Sequence, residues 1–135
     1  MIFAGENLHL KSLTIMDNLI ENKSFEFAVR IVKLVKYLKD AKSENVLSSQ
    51  LLRSGTSIGA NVTEAENAQS KKDFVSKLSI ALKEANETYY WLKLLYSAEY
   101  ISENQFISIE SDCKEVISLL VSIINTTKKS FNPAD

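Results

Sequence analysis

Apolar residues recur at helical spacing through most of the chain, broken by short polar stretches. The pattern is densest over residues 48–67, SSQLLRSGTSIGANVTEAEN, where Leu51, Ile58, Val62 and Ala65 fall seven, four and three apart and so line one helix face. Between them run small side chains: Ser54, Gly55, Thr56, Ser57, Gly59 and Ala60. Two glycines inside a helix cost roughly 1 kcal/mol each relative to alanine. Their presence predicts that a neighbouring helix approaches this backbone closely.

Three further helices follow from the same reading. The first is expected to start at Ser24 as N-cap, with Glu26 favouring the positive helix end. Its seam is Phe27, Ile31, Leu34 and Leu38, widened by Ala28, Val32 and Val35, so this helix is apolar on more than one side. Residues 40–47, DAKSENVL, form the first connection. The third helix is expected from Lys71 to Ala98, capped by Ser70 with Asp73 three residues on, and runs through Phe74, Leu78, Ala81, Ala85, Leu92 and Leu95. Ser102 and Gln105 form a capping box for the fourth, which carries Phe106, Ile109, Cys113, Val116, Leu120 and Ile124. Short connections predict an all-α, antiparallel up-down-up-down four-helix bundle over residues 23–130, with 131–135 as a tail. Residues 1–22 read differently, holding the single His9, and are either an ordered arm or an extension upstream of a natural start at Met16.

Composition agrees with helices. The 135 residues contain one proline and three glycines, too few for the turns of a β-sandwich. No apolar run reaches the roughly 18 residues of a membrane span, and the amino terminus lacks the pattern of a secretory signal. The single cysteine, Cys113, excludes an internal disulfide and fits a reducing cytoplasm, where it reads as a small helix residue. A formal net charge of −1 shows no overall basic surplus, so nucleic-acid binding would need a segregated basic face. Lys33, Lys36, Lys39 and Lys42 step by three and drift around their helix, either as a solvated face or as a phosphate-binding strip; Lys128 and Lys129 add to the basic candidates.

The chemistry of known bundle enzymes is missing. Di-iron carboxylate sites need Glu-x-x-His pairs, whereas Glu84 and Glu87 stand three apart with no histidine nearby, and a site built on Glu64 and Glu87 has no imidazole ligand. Gly55 and Gly59 lie in a helical pattern rather than a phosphate loop. The reading is therefore non-enzymatic, without cofactor, metal or small-molecule substrate. Arg53, Asn61 and Glu64 remain as a polar set that either contacts a ligand or forms a satisfied buried network fixing helix register or subunit contacts. Tyr89, Tyr90, Trp91, Tyr96 and Tyr100 crowd the end of the third helix; three consecutive aromatics span about 200 degrees and cannot all face one core. Such residues suit a protein interface, and with the doubly apolar first helix they point to self-association. Base stacking is the nucleic-acid alternative for the same aromatics.

The stretch LSSQLLRSGTSIGANVTEAENAQSKKDFVSKLSIALKEANET resembles the bacterial four helix bundle proteins, also called 23S rRNA intervening-sequence-encoded proteins. The resemblance rests on Leu47, Gln50, Arg53, Ser54, Ser57, Ile58, Asn61, Glu64, Phe74, Ile80, Ala81 and Glu87, and covers about residues 24–128. The chain departs from the family pattern at Lys83–Glu84, where Gly-Ser is common, and at Ala65–Glu66, where a glycine is common. The resemblance implies a homopentamer of four-helix bundles and adds Glu87 to the polar network. It also implies kinship with the basic accessory protein of diversity-generating retroelements, which associates with nucleic acid. The function expected from all this is a self-assembling helical protein, with an RNA- or ribonucleoprotein-binding module as the alternative.

Overall fold

The structure is a computed structural model that describes residues 8–131, with side chains from residue 14 onward. Residues 1–7, the His9 side chain and residues 132–135 lie outside the described residues. Four helices follow in order: α1 (Leu8–Lys42), α2 (Val46–Ala65), α3 (Lys71–Ser97) and α4 (Glu103–Lys129). Each packs on its two neighbours, α1 on α2 and α4, and α3 on α2 and α4, so the four stand in a square. Cross-helix pairs fix the antiparallel sense: Arg30 late in α1 meets Asp112 early in α4, and Lys77 early in α3 meets Glu64 late in α2. The core is the seam anticipated from the spacing, with Phe27, Ile31, Leu38, Leu51, Ile58 and Phe74 fully buried.

The start of α1 corrects the expectation of a cap at Ser24. The helix is continuous from Leu8, and Ser24 sits inside it with its hydroxyl donating to the Glu21 carbonyl at 3.2 Å. The seam Asp17, Ile20, Ser24, Phe27 and Ile31 keeps spacings of three and four, and all five are buried. Two of its positions are polar, which is why the apolar pattern fades before Phe27.

The two glycines of α2 behave differently. A Cβ added at Gly55 would lie 2.8 Å from Cγ2 and 2.9 Å from Cγ1 of Ile31, so α1 does approach the α2 backbone there. At Gly59 the nearest atoms are the carbonyl and hydroxyl oxygens of Ser24 at 3.6 Å, an ordinary contact. On the other flank of α2, the Ser54 and Thr88 hydroxyls are buried 2.9 Å apart, and Thr88 also donates to the Glu84 carbonyl at 2.8 Å. Small residues thus let α2 come close to both α1 and α3.

The other two predicted caps are present. Ser70 Oγ accepts from the Asp73 amide at 3.0 Å, and Ser102 with Gln105 makes the reciprocal capping box. The cap of α2 was not anticipated. The connection is only residues 43–45, with Ser43 at φ 52, and Asn45 offers no side-chain bond. Instead the Glu44 carboxylate accepts from the Leu47 and Ser48 amides at 2.9 and 2.8 Å, satisfying two orphan donors of the first turn. Burial resists its ionisation, but the bonds from Leu47 and Ser48 outweigh that and lower its pKa. Glu44→Ala is expected to cost about 1 kcal/mol at neutral pH. Because the folded pKa is lowered, that contribution is present above the usual carboxyl range and disappears as pH falls through the lowered value. Thermal melts of both proteins between neutral and acid pH check this, and a gap that widens on acidification would sink the assignment.

Candidate interaction surfaces

The polar positions singled out in α2 separate in space. Arg53 reaches across to α3, where Nη1 lies 3.2 Å from Glu84 Oε2 and Nη2 bonds Glu87 Oε1. The Trp91 indole also donates to Glu87 Oε1, at 3.3 Å, four residues further along α3. Arg53 is exposed, so this is a surface clamp between α2 and α3 rather than a buried charge network. Asn61 turns back on its own helix and donates to the Ser57 carbonyl at 2.8 Å. Glu64 is exposed and pairs with Lys77 at 3.4 Å. The structure therefore joins Arg53 with Glu84 and Glu87, and leaves Asn61 and Glu64 elsewhere.

The aromatics at the end of α3 divide likewise. Tyr89 donates its hydroxyl to Glu110 Oε2 at 2.6 Å, with the Lys93 and Lys114 ammoniums 4.8 and 5.7 Å from its ring centre. Tyr96 stacks on Phe106 with centroids 4.6 Å apart, while Trp91 and Tyr100 are half-buried against the core. Tyr90 is the exposed member at 54%, set edge-on to Trp91 beside Lys93, Leu94 and Ser97. Tyrosines at this end thus mostly tie α3 to α4.

The most apolar surface lies on α1. Phe25 is 68% exposed, Ile15 69% and Val32 49%, and Leu19 and Val29 are exposed too. Phe25, Val29 and Val32 are four and three apart, so they form one stripe on the side away from the buried seam. Beside that stripe, α2 presents Thr56, Gly59, Ala60 and Thr63, which line a groove of about 260 Å³ with Glu21, Ser24, Phe25 and Ala28. Only one of these eight residues is charged. The doubly apolar character of α1 signalled this face in the sequence, and the small-residue face of α2, expected to contribute to assembly contacts, lies beside it.

The lysines occupy two ends of the bundle. Lys33, Lys36, Lys39 and Lys42 are exposed on the last turns of α1, near the start of α4. Lys128 and Lys129 are exposed at the end of α4, next to the start of α3, where Lys71 donates to the Ser130 carbonyl at 2.9 Å. The antiparallel order keeps these groups apart. Arg30, unremarked in the sequence, ties α1 to α4: Nη1 lies 2.6 Å from Asp112 Oδ2, and Nη2 donates to the Ser108 hydroxyl at 3.0 Å. No spacing rule within one helix could have found that pair.

Among the described residues no group of three or more His, Cys, Asp or Glu side chains could hold a metal ion. Cys113 is buried, and burial first, then the Glu110 and Asp112 carboxylates, push its thiol up to about 12, so it is a poor nucleophile. Among the described residues no helix is long and apolar enough to cross a membrane.

A family model described as 23S rRNA-intervening sequence protein matches residues 16–122. A crystal structure of a protein with unknown function, from the S23 ribosomal protein family of Bacteroides thetaiotaomicron VPI-5482, is 59% identical. That similarity covers 82% of this chain and 98% of the other, with a TM-score of 0.81. No curated protein matches, and neither this family model nor this crystal structure indicates an enzyme family.

Proposed function

The chain belongs to the 23S rRNA-intervening sequence protein family, and from that premise we propose that it acts as a non-enzymatic helical protein that assembles with copies of itself. The observation that carries this reading is the exposed stripe of Phe25, Val29 and Val32 on the outer side of α1, with Ile15 and Leu19 exposed earlier on the same helix. Single exposed apolar residues are ordinary on a monomer. Phe25, Val29 and Val32 on one stripe, with Phe25 next to the uncharged Thr56, Gly59, Ala60 and Thr63 of α2, make a patch of the kind that marks an interaction surface. Tyr90 on α3 supplies a second exposed aromatic for contacts. The Arg53–Glu84–Glu87 clamp supports assembly indirectly, by holding α2 against α3.

Solution mass by light scattering after size exclusion tests the proposal. The expected mass is a multiple of 15.2 kDa, five copies being the number the family resemblance implies. Phe25→Glu with Val29→Glu is expected to return the mass to a single copy while helix content by circular dichroism stays unchanged. A wild-type monomer at micromolar concentration, or a double variant that still assembles, would overturn the reading.

A further inference from the structure

Where α1 ends and α4 begins, a groove of about 310 Å³ opens between Arg30, Lys33, Leu34 and Tyr37 on one side and Gln105 and Ile109 on the other. Its floor is apolar: Ile109 is buried, and Leu34 and Tyr37 are half-buried against the core. Arg30 is committed to Asp112 and Ser108, so it stiffens the wall rather than offering free charge. The Gln105 amide oxygen is taken by the Ser102 backbone amide at 2.8 Å, which leaves its nitrogen as the donor available to a ligand.

The exposed turns of α1 beside the groove are basic and unneutralised. Lys33 lines the groove, and Lys36, Lys39 and Lys42 follow on exposed turns of α1. Among the described residues none of these four is in an ion pair, whereas Lys23, Lys77 and Lys114 are held by Glu115, Glu64 and Glu110. Between residues 30 and 42 the one carboxylate is Asp40, against four lysines and Arg30. Lys33 to Lys39 spans about 9 Å of helix axis, more than one small anion occupies. A patch of lysines alone would suit any polyanion. A groove with a tyrosine ring beside the first lysine narrows the choice to a strand whose planar bases are free to leave the stack.

The geometry points to a binding site for single-stranded nucleic acid: one unstacked base enters the α1/α4 groove against Tyr37, and the adjoining phosphates lie on Lys33, Lys36 and Lys39. A duplex keeps its bases stacked and cannot fill the groove. An anionic membrane supplies charge but no flat group for it. Lys128 and Lys129, at the other end of the bundle, take no part. Lys33 and Tyr37 face α4, whereas Lys36 and Lys39 continue the Phe25, Val29 and Val32 stripe at steps of four and three, so the strand leaves the groove across the exposed side of α1.

Fluorescence anisotropy of short labelled oligouridylate and oligothymidylate with the full chain, at about 50 and 200 mM salt, tests the assignment. Binding of either strand supports it, and a log–log salt slope near about −2 is expected for three phosphates on a single strand. Lys33→Gln, Lys36→Gln and Lys39→Gln together should remove most of that slope. Tyr37→Leu should weaken binding about tenfold at both salt concentrations with the slope intact, since it removes stacking but no charge. Tyr37→Phe and the Lys128→Gln, Lys129→Gln pair should bind as the unmodified protein does. Photocrosslinking of a 4-thiouridine oligonucleotide to the unmodified protein locates the base without any variant, and crosslinks at Tyr37 or Gln105 are the expected result. Absence of strand binding, binding only to phosphatidylserine vesicles, unchanged affinity of Tyr37→Leu, or crosslinks confined to the other end of the bundle would each overturn it.

Discussion

Gly55→Ala is expected to lower the stability of the folded chain by about 1–3 kcal/mol, although alanine is the better helix former. The added methyl would sit 2.8 and 2.9 Å from the two γ carbons of Ile31 and 3.2 Å from its Cβ. Those are not the far end of a flexible side chain. Ile31 is fully buried on α1, and a β-branched residue in a helix holds essentially one χ1 rotamer, so it cannot swing aside. Relief requires moving α1 away from α2, which opens the core around Leu51 and Ile58. Gly59→Ala is the control, since its nearest contacts are at 3.6 Å. There the gain in helix propensity should dominate and raise stability by about 0.5–1 kcal/mol. Urea denaturation of the two variants at one protein concentration gives the comparison, the concentration being held because assembly adds to apparent stability. Ile31→Ala in the Gly55→Ala background should show strong coupling, because it removes the atoms that clash. Equal stability of Gly55→Ala and the parent protein would mean that the helices are not held at this distance.

The contrast between the two glycines shows what could and could not be read in advance. Helical spacing located four helices, and the residue types at 70, 73, 102 and 105 located two caps, because both are local rules. The small residues of α2 announced a close approach, but only the neighbour's identity, Ile31 or Ser24, separates a position that must be glycine from one that need not be. The first half of α1 stayed hidden because Asp17 and Ser24 occupy seam positions where the pattern requires apolar residues. Arg53 was recognised as significant and the family resemblance set Glu87 with it, yet spacing along one helix cannot pair residues across two, so its second partner on α3, Glu84, was missed. The grouping of Lys128 and Lys129 with the α1 lysines ignored a consequence of the up-down order, in which the ends of α1 and α4 point in opposite directions. Tyr37 and Arg30 carried no signal of their own, and became significant only once α4 was laid beside them.

Asp17→Asn is expected to make the protein more stable at neutral pH and to flatten its pH dependence. Asp17 is buried in α1, and burial first, then the Glu66 and Glu21 carboxylates, raise its pKa from 3.8 to about 6. A raised carboxyl pKa means that the folded chain holds a proton which the unfolded chain releases more readily. Between pH 3.8 and about 6 the folded state binds more protons, so stability falls as pH rises across that window and the loss is complete above it. At about 1.4 kcal/mol per pKa unit the full cost approaches ~3 kcal/mol, and solvent screening of a group near the end of the bundle brings the expected value to about 1–2 kcal/mol. Asparagine has nearly the same shape and never ionises, so it resembles the protonated acid at every pH. The two proteins should therefore differ little at or below about pH 4, and the variant should pull ahead as pH rises to about 6 and keep a constant lead beyond it. Taking the difference between the two denaturation curves at each pH cancels the titration of every other carboxylate. A variant that is less stable at neutral pH would show that the ionised Asp17 side chain is a favourable element of the seam, as the buried Ser24 hydroxyl is with its bond to Glu21.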